Sequence, residues 1–525
     1  MKSNYQQPFV PGIAVLSGDF LRSGTDPRSL LLTPPENGVA LHTPHCSDWL
    51  SAVVCTRLTQ EQACYTDSGG ITILFDGYLS DIVGADAGTT SCEQPARAIA
   101  ELYRAHGHDA FRRLRGSYSI LVLDAGNSVA TIVSDRLGSR PTFYRKTDHG
   151  VAIAPTVYAL SRLTGTRADI DPSSVIEFTI TGAFRGTHTL FTEICKLPQA
   201  GMLALGPQHC EKVERYWCLS FEPQQVSQNE LIDECDALLK QAVQRSMSTC
   251  TNAVLGLSGG LDSRVVLGYL RSNGYSEIPV TSFWKAGTQG DDSIVARSIG
   301  ETLGLAISSF IIDLEDFADT AGEAVLKADC AAEVIDSSPL TRLWRQLGQQ
   351  FDCFINGDES FGWRDATSSI PDALTKIGWF HLDQAPRVGD WIRPDIAHDL
   401  RKEIDRRLTE LVVRADQTDP NDLKDKLYYE QRLGNKINAF AVHRLYAMEQ
   451  ARPLMDEDVI DFVSHVPRYF REDKRLLRET FRQKFPDLDR LPYSCKDSIP
   501  VPDSFCNMIE RNPKMRQFFE ANLIE

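Results

Sequence analysis

Ala253-Val-Leu-Gly-Leu-Ser-Gly-Gly-Leu-Asp-Ser-Arg-Val-Val-Leu-Gly-Tyr-Leu270 decides how the second half of this 525-residue chain folds. The apolar run Val254 to Leu257 is of the kind that forms a buried parallel strand. Ser258, Gly259 and Gly260 break it. From Asp262 the pattern turns helical, with Val265, Val266 and Tyr269 spaced onto one face. Strand, glycine turn and helix N-terminus together make an anion cradle. Residues without a Cβ let backbone N–H groups approach a phosphate, and the helix dipole adds its positive end. The loop is too short for a Walker A pattern and lacks its lysine. An ordinary strand-to-helix turn also uses Gly, Asp and Ser, so the flanking sequence has to decide between the two.

Downstream, Ile278-Pro-Val-Thr-Ser-Phe283 predicts a second parallel strand, Ser293 to Leu303 a helix, and Ala306 to Ile312 a third strand. This alternation predicts a doubly wound α/β sheet that binds its ligand at the strand C-termini. Asp352-Cys-Phe-Ile-Asn-Gly-Asp-Glu-Ser-Phe-Gly362 is a short apolar strand, with Phe354 at its centre, running into Gly-Asp-Glu. Residues 425 to 485 read as strongly helical, with few Gly or Pro breaks.

Upstream, to about residue 200, short β-like segments dominate: Gly12 to Leu16, Ile71 to Phe75, Tyr118 to Leu123 and Val129 to Val133. Gly and Asp turns separate them, and a helix is expected from Glu93 to Arg104. Propensity alone gives a mixed α+β domain and no function.

Three pieces in order carry a resemblance: Phe75-Asp-Gly-Tyr-Leu-Ser-Asp81, Leu114-Arg-Gly-Ser-Tyr-Ser-Ile-Leu-Val-Leu-Asp124 and Ser134-Asp-Arg-Leu-Gly-Ser-Arg-Pro-Thr-Phe-Tyr144. They resemble the class II glutamine amidotransferase domain of the asparagine synthetase family, an α+β Ntn-type sandwich. Asp171 to Gly201 is similar to that family's connector, which places a domain boundary near 210, with 1–210 glutaminase-like and 211–525 an ATP pyrophosphatase domain with a helical C-terminal part. Such a glutaminase uses an N-terminal cysteine ahead of a Gly-Ile-Ala-like strand. Here Pro11 precedes Gly12-Ile-Ala14, which supplies neither thiol nor free amine, so attack on glutamine has no agent. The family's oxyanion-holding Asn-Gly is Asp76-Gly77, and a carboxylate repels an oxyanion. The first domain therefore reads as a glutaminase relic kept as a scaffold or peptide-binding surface.

Ser258-Gly-Gly-Leu-Asp-Ser263 resembles the pyrophosphate loop of the N-type ATP pyrophosphatases. The resemblance implies ATP contacts from Leu257, Ser258, Gly259, Gly260, Asp262, Ser263, Lys285 and Phe354, and Mg²⁺ on Asp262 and Asp358. Two carboxylates facing a triphosphate would repel it without a cation, which also points to Mg²⁺. Ala451-Arg-Pro-Leu-Met-Asp456, Lys474-Arg-Leu-Leu-Arg478 and Tyr493-Ser-Cys-Lys-Asp-Ser-Ile-Pro-Val-Pro502 are similar to later family segments, and imply catalytic lysines at Lys496 and Lys474. Lys496 falls where the family holds a lysine over the acyl-adenylate. One departure is Ile355, where the superfamily often places a side chain near the attacking amine.

The expected function is ATP-dependent amide formation through an acyl-adenylate, releasing AMP and pyrophosphate. With no working glutaminase, a lasso-type macrolactam synthetase is favoured: a peptide carboxylate captured by its own amine. A precursor peptide and a leader-peptide protease would then be partners. The alternatives are a small-molecule carboxylate amidated with free ammonia or by a separate glutaminase, a β-lactam synthetase-like cyclisation, and an ATP-binding scaffold without catalysis. The composition, 42 % hydrophobic and 24 % charged, is that of a globular protein, and the net charge of −16 argues against a nucleic-acid partner. No stretch approaches a membrane span. Thirteen cysteines without a Cys-x-x-Cys pair read as reduced thiols of a cytoplasmic protein rather than a disulfide or zinc framework.

Overall fold

Alternating apolar residues in the first two hundred positions have two faces to bury, and the structure buries both. This computed structural model describes residues 11–31, 39–84, 92–163, 168–207, 212–285, 292–312, 317–329, 331–362, 365–379 and 394–494. The chain divides into two compact units. The first comprises Met1–Phe221, Leu326–Ala332 and Trp363–Val442, and the second comprises Glu222–Val325, Glu333–Gly362 and His443–Glu525.

The first unit contains two six-stranded sheets. One holds Gly12–Ser17, Leu50–Thr56 and Gly150–Ala154 in its interior, and the other holds Ile71–Ile82, Leu114–Asp124 and Val129–Ser134. The pairings within them are antiparallel. Side-chain alternation explains the layers. Ile13 and Val15 join Leu74, Leu121 and Ile132 in a core between the sheets. Their neighbours Ala14 and Leu16 face outward into a second core with Val157 and Leu160, while Ile73, Phe75, Ile120 and Val122 face a third with Ile99 and Leu102. The outer helix runs Pro95–His106, two residues later than expected, with Pro95 at its first turn where a missing N–H costs nothing.

Helices complete the unit. Pro172–Thr181 is capped by the Asp171 carboxylate at one end and by left-handed Gly182 at the other. Arg407, on the helix Pro394–Ala415, donates to Asp171 at 2.7 Å and sits 3.5 Å from Glu177. Glu177 and Arg185 are fully buried and 3.7 Å apart.

The second unit is the expected α/β layer. Its five strands lie in the order Ile307–Ile312, Val280–Lys285, Ala253–Gly256, Cys353–Ile355, Glu449–Ala451, and every pairing is parallel. The chain moves outward from Ala253–Gly256 in one direction, then returns and continues on its other side. That strand is therefore the topological switch point, where two neighbouring strand ends diverge and leave a crevice. Val254 and Phe354 pack with Trp344 and Met448 on one face, and Leu255 and Ile355 pack with Val265 and Leu477 on the other. The strand Glu449–Ala451 interrupts the stretch expected to be helical. It is three residues long, and its pairing with Cys353–Ile355, a long-range contact, overrides local propensity.

Burial pushes the Glu177 carboxyl up to about 7, against the pull of Arg185 and Arg407. A raised carboxyl pKa means that the folded state holds the proton more tightly than the unfolded one, so stability falls as pH rises from the unfolded value through the folded one. Urea unfolding of wild type and Glu177→Gln at pH 5 and pH 8 should show wild type losing up to about 3 kcal/mol relative to the variant across that interval. A pH-independent difference between the two would remove this assignment.

Candidate active site

Two loops leave adjacent strands of the parallel sheet at the switch point. The first, Leu257 to Gly260, runs into the helix Leu261–Ser272, and its polar groups are already organised. The Ser263 hydroxyl accepts the Ser258 N–H at 3.0 Å, and the Ser258 hydroxyl accepts the Gly260 N–H at 3.2 Å. The Gly259 N–H donates to a carboxylate oxygen of Asp292 at 3.1 Å. An anionic oxygen thus stands where a cradle built of backbone amides would hold one. Leu257 is a core residue, and its N–H continues the sheet by donating to Thr281 O at 2.8 Å.

The second loop, Asn356 to Glu359, presses against the first. A Cβ on Gly357 would stand 2.6 Å from Ser263 N and 2.8 Å from Asp262 C, so only glycine lets the two chains meet. Asp358 follows directly and lies 3.5 Å from Arg452 Nε, just beyond the strand Glu449–Ala451. Asp262 Oδ1 and Asp358 Oδ2 are both buried, with no hydrogen-bond partner among the described residues. Asp262 Oδ1 is therefore left for a cation, which fits the expected ion, while Asp358 Oδ2 already faces the Arg452 guanidinium, a charge that an incoming cation would have to share. Among the described residues no third His, Cys, Asp or Glu joins them in a metal-holding group. The remaining ligands would have to come from phosphate and water, as is usual for Mg²⁺.

Lys474 bridges the carboxylates. Its Nζ lies 2.8 Å from Asp262 Oδ2 and 3.0 Å from Glu359 Oε1. Burial works against its charge, but Glu359 and Asp262 outweigh that and hold its pKa above the ordinary lysine value. Burial likewise raises the Glu359 carboxyl to about 7, opposed by Lys474 and reinforced by the charge of Asp262. The backbone that presents Lys474 is strained. Asp473 (φ 48°, ψ 37°) and Lys474 (φ 58°, ψ 33°) are successive left-handed residues, neither of them glycine. Gly362, at φ 114°, lets that segment approach, because a Cβ there would stand 2.0 Å from Arg471 O.

Other expected site residues fall differently. Phe354 is a core side chain, packed edge-on to Trp344 at 5.2 Å, and its ring fills the space a Cβ on Gly256 would take. Lys285 closes the strand Val280–Lys285, and its side chain lies outside what is described. Lys496 also lies outside the described residues. The segment before it is anchored to the phosphate-type loop: Ser494 N donates to Gly259 O at 3.0 Å. Arg264, fully buried, donates to Leu491 O at 2.9 Å and Pro492 O at 2.7 Å, with its guanidinium 3.9 Å over the Tyr493 ring. Sequence reasoning assigned no role to Glu359, Arg264 or Arg452. The available signal was position alone, since Glu359 follows Asp358 and Arg264 sits two residues past Asp262.

Residues 83–217 match the glutamine amidotransferase domain model, and residues 234–362 match the asparagine synthase model. The chain is thus similar, in this order, to a glutamine amidotransferase domain and to asparagine synthase. It is 21 % identical over 476 residues to asparagine synthetase [glutamine-hydrolyzing] 3 of Bacillus subtilis strain 168, covering 82 % of this chain and 75 % of that protein. Against asparagine synthetase [glutamine-hydrolyzing] 1 of the same strain it is 20 % identical, over 58 % of this chain and 51 % of the relative. The NH3-dependent NAD synthetase of Campylobacter jejuni shares 14 % identity across 40 % of this chain and 95 % of its own, with a TM-score of 0.21. An Ntn-type amidotransferase domain followed by an ATP pyrophosphatase-like α/β domain accounts for the two sandwiched sheets and the parallel sheet.

The asparagine synthase match spans both switch-point loops, whereas the amidotransferase match begins beyond Pro11 and Asp76. Pro11 lies immediately before the strand Gly12–Ser17. Asp76 is buried and paired with Arg140 at 3.1 Å, each only 1 % exposed. The family's Asp-Arg-Leu-Gly piece forms a turn around Asp135, whose buried carboxylate accepts the N–H groups of Tyr118, Leu137 and Ser139. In this chain that turn delivers Arg140 to Asp76.

Gly357→Ala tests the contact between the two loops. The added methyl meets backbone, so the loops must separate, with a cost of about 1–3 kcal/mol. ATP affinity measured by calorimetry should drop sharply, while Gly126→Ala, whose Cβ would meet nothing closer than 3.4 Å, should leave it unchanged. Equal affinity in the two variants would show that the loops do not act together.

Proposed function

We propose that this chain is an ATP-dependent carbon–nitrogen ligase that activates a carboxylate as an acyl-adenylate and passes it to an amine. The observation that carries this reading is the meeting of two carboxylates, Asp262 with an unbonded buried oxygen and Asp358 beside Arg452, next to a glycine loop whose amide already holds an anionic oxygen. In this reading Ser258, Gly259, Gly260 and Ser263 grip the β- and γ-phosphates. Asp262 and Asp358 would hold Mg²⁺, whose charge would offset that of the polyphosphate. Lys474 stays charged beside them and balances the departing pyrophosphate, while Lys496 acts on the acyl-transfer step. Leu257, Lys285 and Phe354 belong to the nucleotide side, with Phe354 acting by shaping the strand behind the loop. We assign 1–210 to the amidotransferase-like part and 211–525 to the synthetase part.

The amine is the finer part of the proposal. A proline where the family carries its nucleophile and a buried Asp76–Arg140 pair where it carries an oxyanion donor both speak for a substrate that brings its own amine. A peptide closing a macrolactam by its own N-terminus fits this chemistry. The curated relatives are glutamine-hydrolysing asparagine synthetases, and their names favour amidation with ammonia as the second reading.

Two measurements separate these outcomes. Turnover with ATP should release AMP and pyrophosphate in equal amounts. Asp262→Asn should lower it by about two orders of magnitude or more, the scale of one lost electrostatic group in a dry site. Stoichiometric ADP would rule the adenylate out. Incubation with glutamine should yield no glutamate above blank, and a glutamine-directed alkylating analogue should leave the first unit unlabelled. Labelling there would restore a glutaminase and the asparagine synthetase reading with it.

A further inference from the structure

The first unit contains a cleft of about 580 Å³ that none of the chemistry above uses. Lys146, Lys212, Arg215 and Arg414 line it, with Glu430 as the only carboxylate among its lining residues. Glu430 is already committed to Arg215 at 2.9 Å. Four cations facing one anion is the reverse of the chain's overall balance, which is −16. The cations come from separate elements. Lys146 is on the strand Phe143–Thr147, Arg215 on the strand Glu214–Arg215, and Arg414 in the last turn of the helix Pro394–Ala415. Lys146, Lys212 and Arg414 are exposed and Arg215 partly so, and between them the wall has an apolar part, with partly buried Tyr144, Pro198 and Leu411, beside polar Thr187 and Gln431.

We propose that this cleft binds an acidic, partly apolar peptide segment. A lone phosphate would leave most of the volume empty and would want its donors converging on one point rather than spread over three elements. The volume is that of a site for a ligand with several side-chain-sized groups. A long nucleic-acid backbone would meet the repulsion of the chain's own net negative charge before it reached four local cations. A short segment alternating carboxylates with apolar side chains satisfies both the cationic rim and the apolar part of the wall formed by Tyr144, Pro198 and Leu411. The inference does not depend on what the synthetase half joins.

The probe is a short fluorescein-labelled peptide of alternating glutamate and leucine, titrated with the full-length protein and read by anisotropy. Binding should be saturable and should weaken on going from low to physiological salt, because exposed charges are screened over about 8–10 Å. Lys146→Glu with Arg414→Glu should weaken it by roughly tenfold or more, since two attractions become repulsions. The pair Lys240→Glu with Arg297→Glu, of equal charge change on the other unit, should not. Circular dichroism and the unfolding midpoint confirm that each variant is folded, and Lys146→Gln with Arg414→Gln gives the milder version of the same loss. The proposal fails if wild type does not bind the probe or if a lysine–leucine peptide binds as well. Equal weakening in both reversal variants also sinks it. Displacement by inorganic phosphate at concentrations similar to the peptide's would make this a small-anion site and overturn the peptide assignment.

Discussion

The arrangement at the end of the parallel sheet depends on one ammonium group. Lys474 stands within 3.0 Å of both Asp262 and Glu359, and without it the ends of two loops would present these two carboxylates to one another. Coulomb repulsion between buried like charges at such distances amounts to several kcal/mol at an effective dielectric near 20. The fold accepts two consecutive left-handed residues to keep that ammonium in place, at a cost on the order of 1–3 kcal/mol each. A strained backbone at the meeting of two acidic loops is a site arrangement rather than a packing accident. Gly357 and Gly362 have the complementary task of removing the side chains that would hold these segments apart.

Much of this layout was legible before any coordinates. The strands on either side of the Ser258 loop lie within a residue or two of their expected places, because short apolar runs bounded by Gly, Asp and Pro leave few alternatives. The sandwich of the first unit follows from period-two burial, visible in Ile13 to Leu16 as residues that alternate between two cores. The site was legible where residues adjacent in sequence do the work, as in Ser258 to Ser263.

What escaped the sequence is what depends on long-range approach. Lys474 was expected at the site from a family motif, but nothing local announces its ion pair with Glu359 across more than a hundred residues. Arg264 sits on a helix whose pattern predicts packing, yet it is buried and fastens the segment leading to Ser494 through carbonyls far away in sequence. The strand Glu449–Ala451 is too short to show a period of its own. In each case the deciding energy is tertiary: a charge that must be met, or an edge that must be paired.

The Arg140–Asp76 pair limits which single exchanges this domain can accept. Exchanging Asp76 for the asparagine of an active amidotransferase would take away the carboxylate that faces a guanidinium only 1 % exposed. Breaking one side of such a buried pair typically costs about 3–5 kcal/mol, a large share of the margin by which a domain stays folded. A single Asp76→Asn exchange therefore costs stability whether or not a nucleophile stands at position 11. Building an amidotransferase centre on this fold would therefore require positions 11, 76 and 140 to change in concert, because each change alone is either without effect or costly.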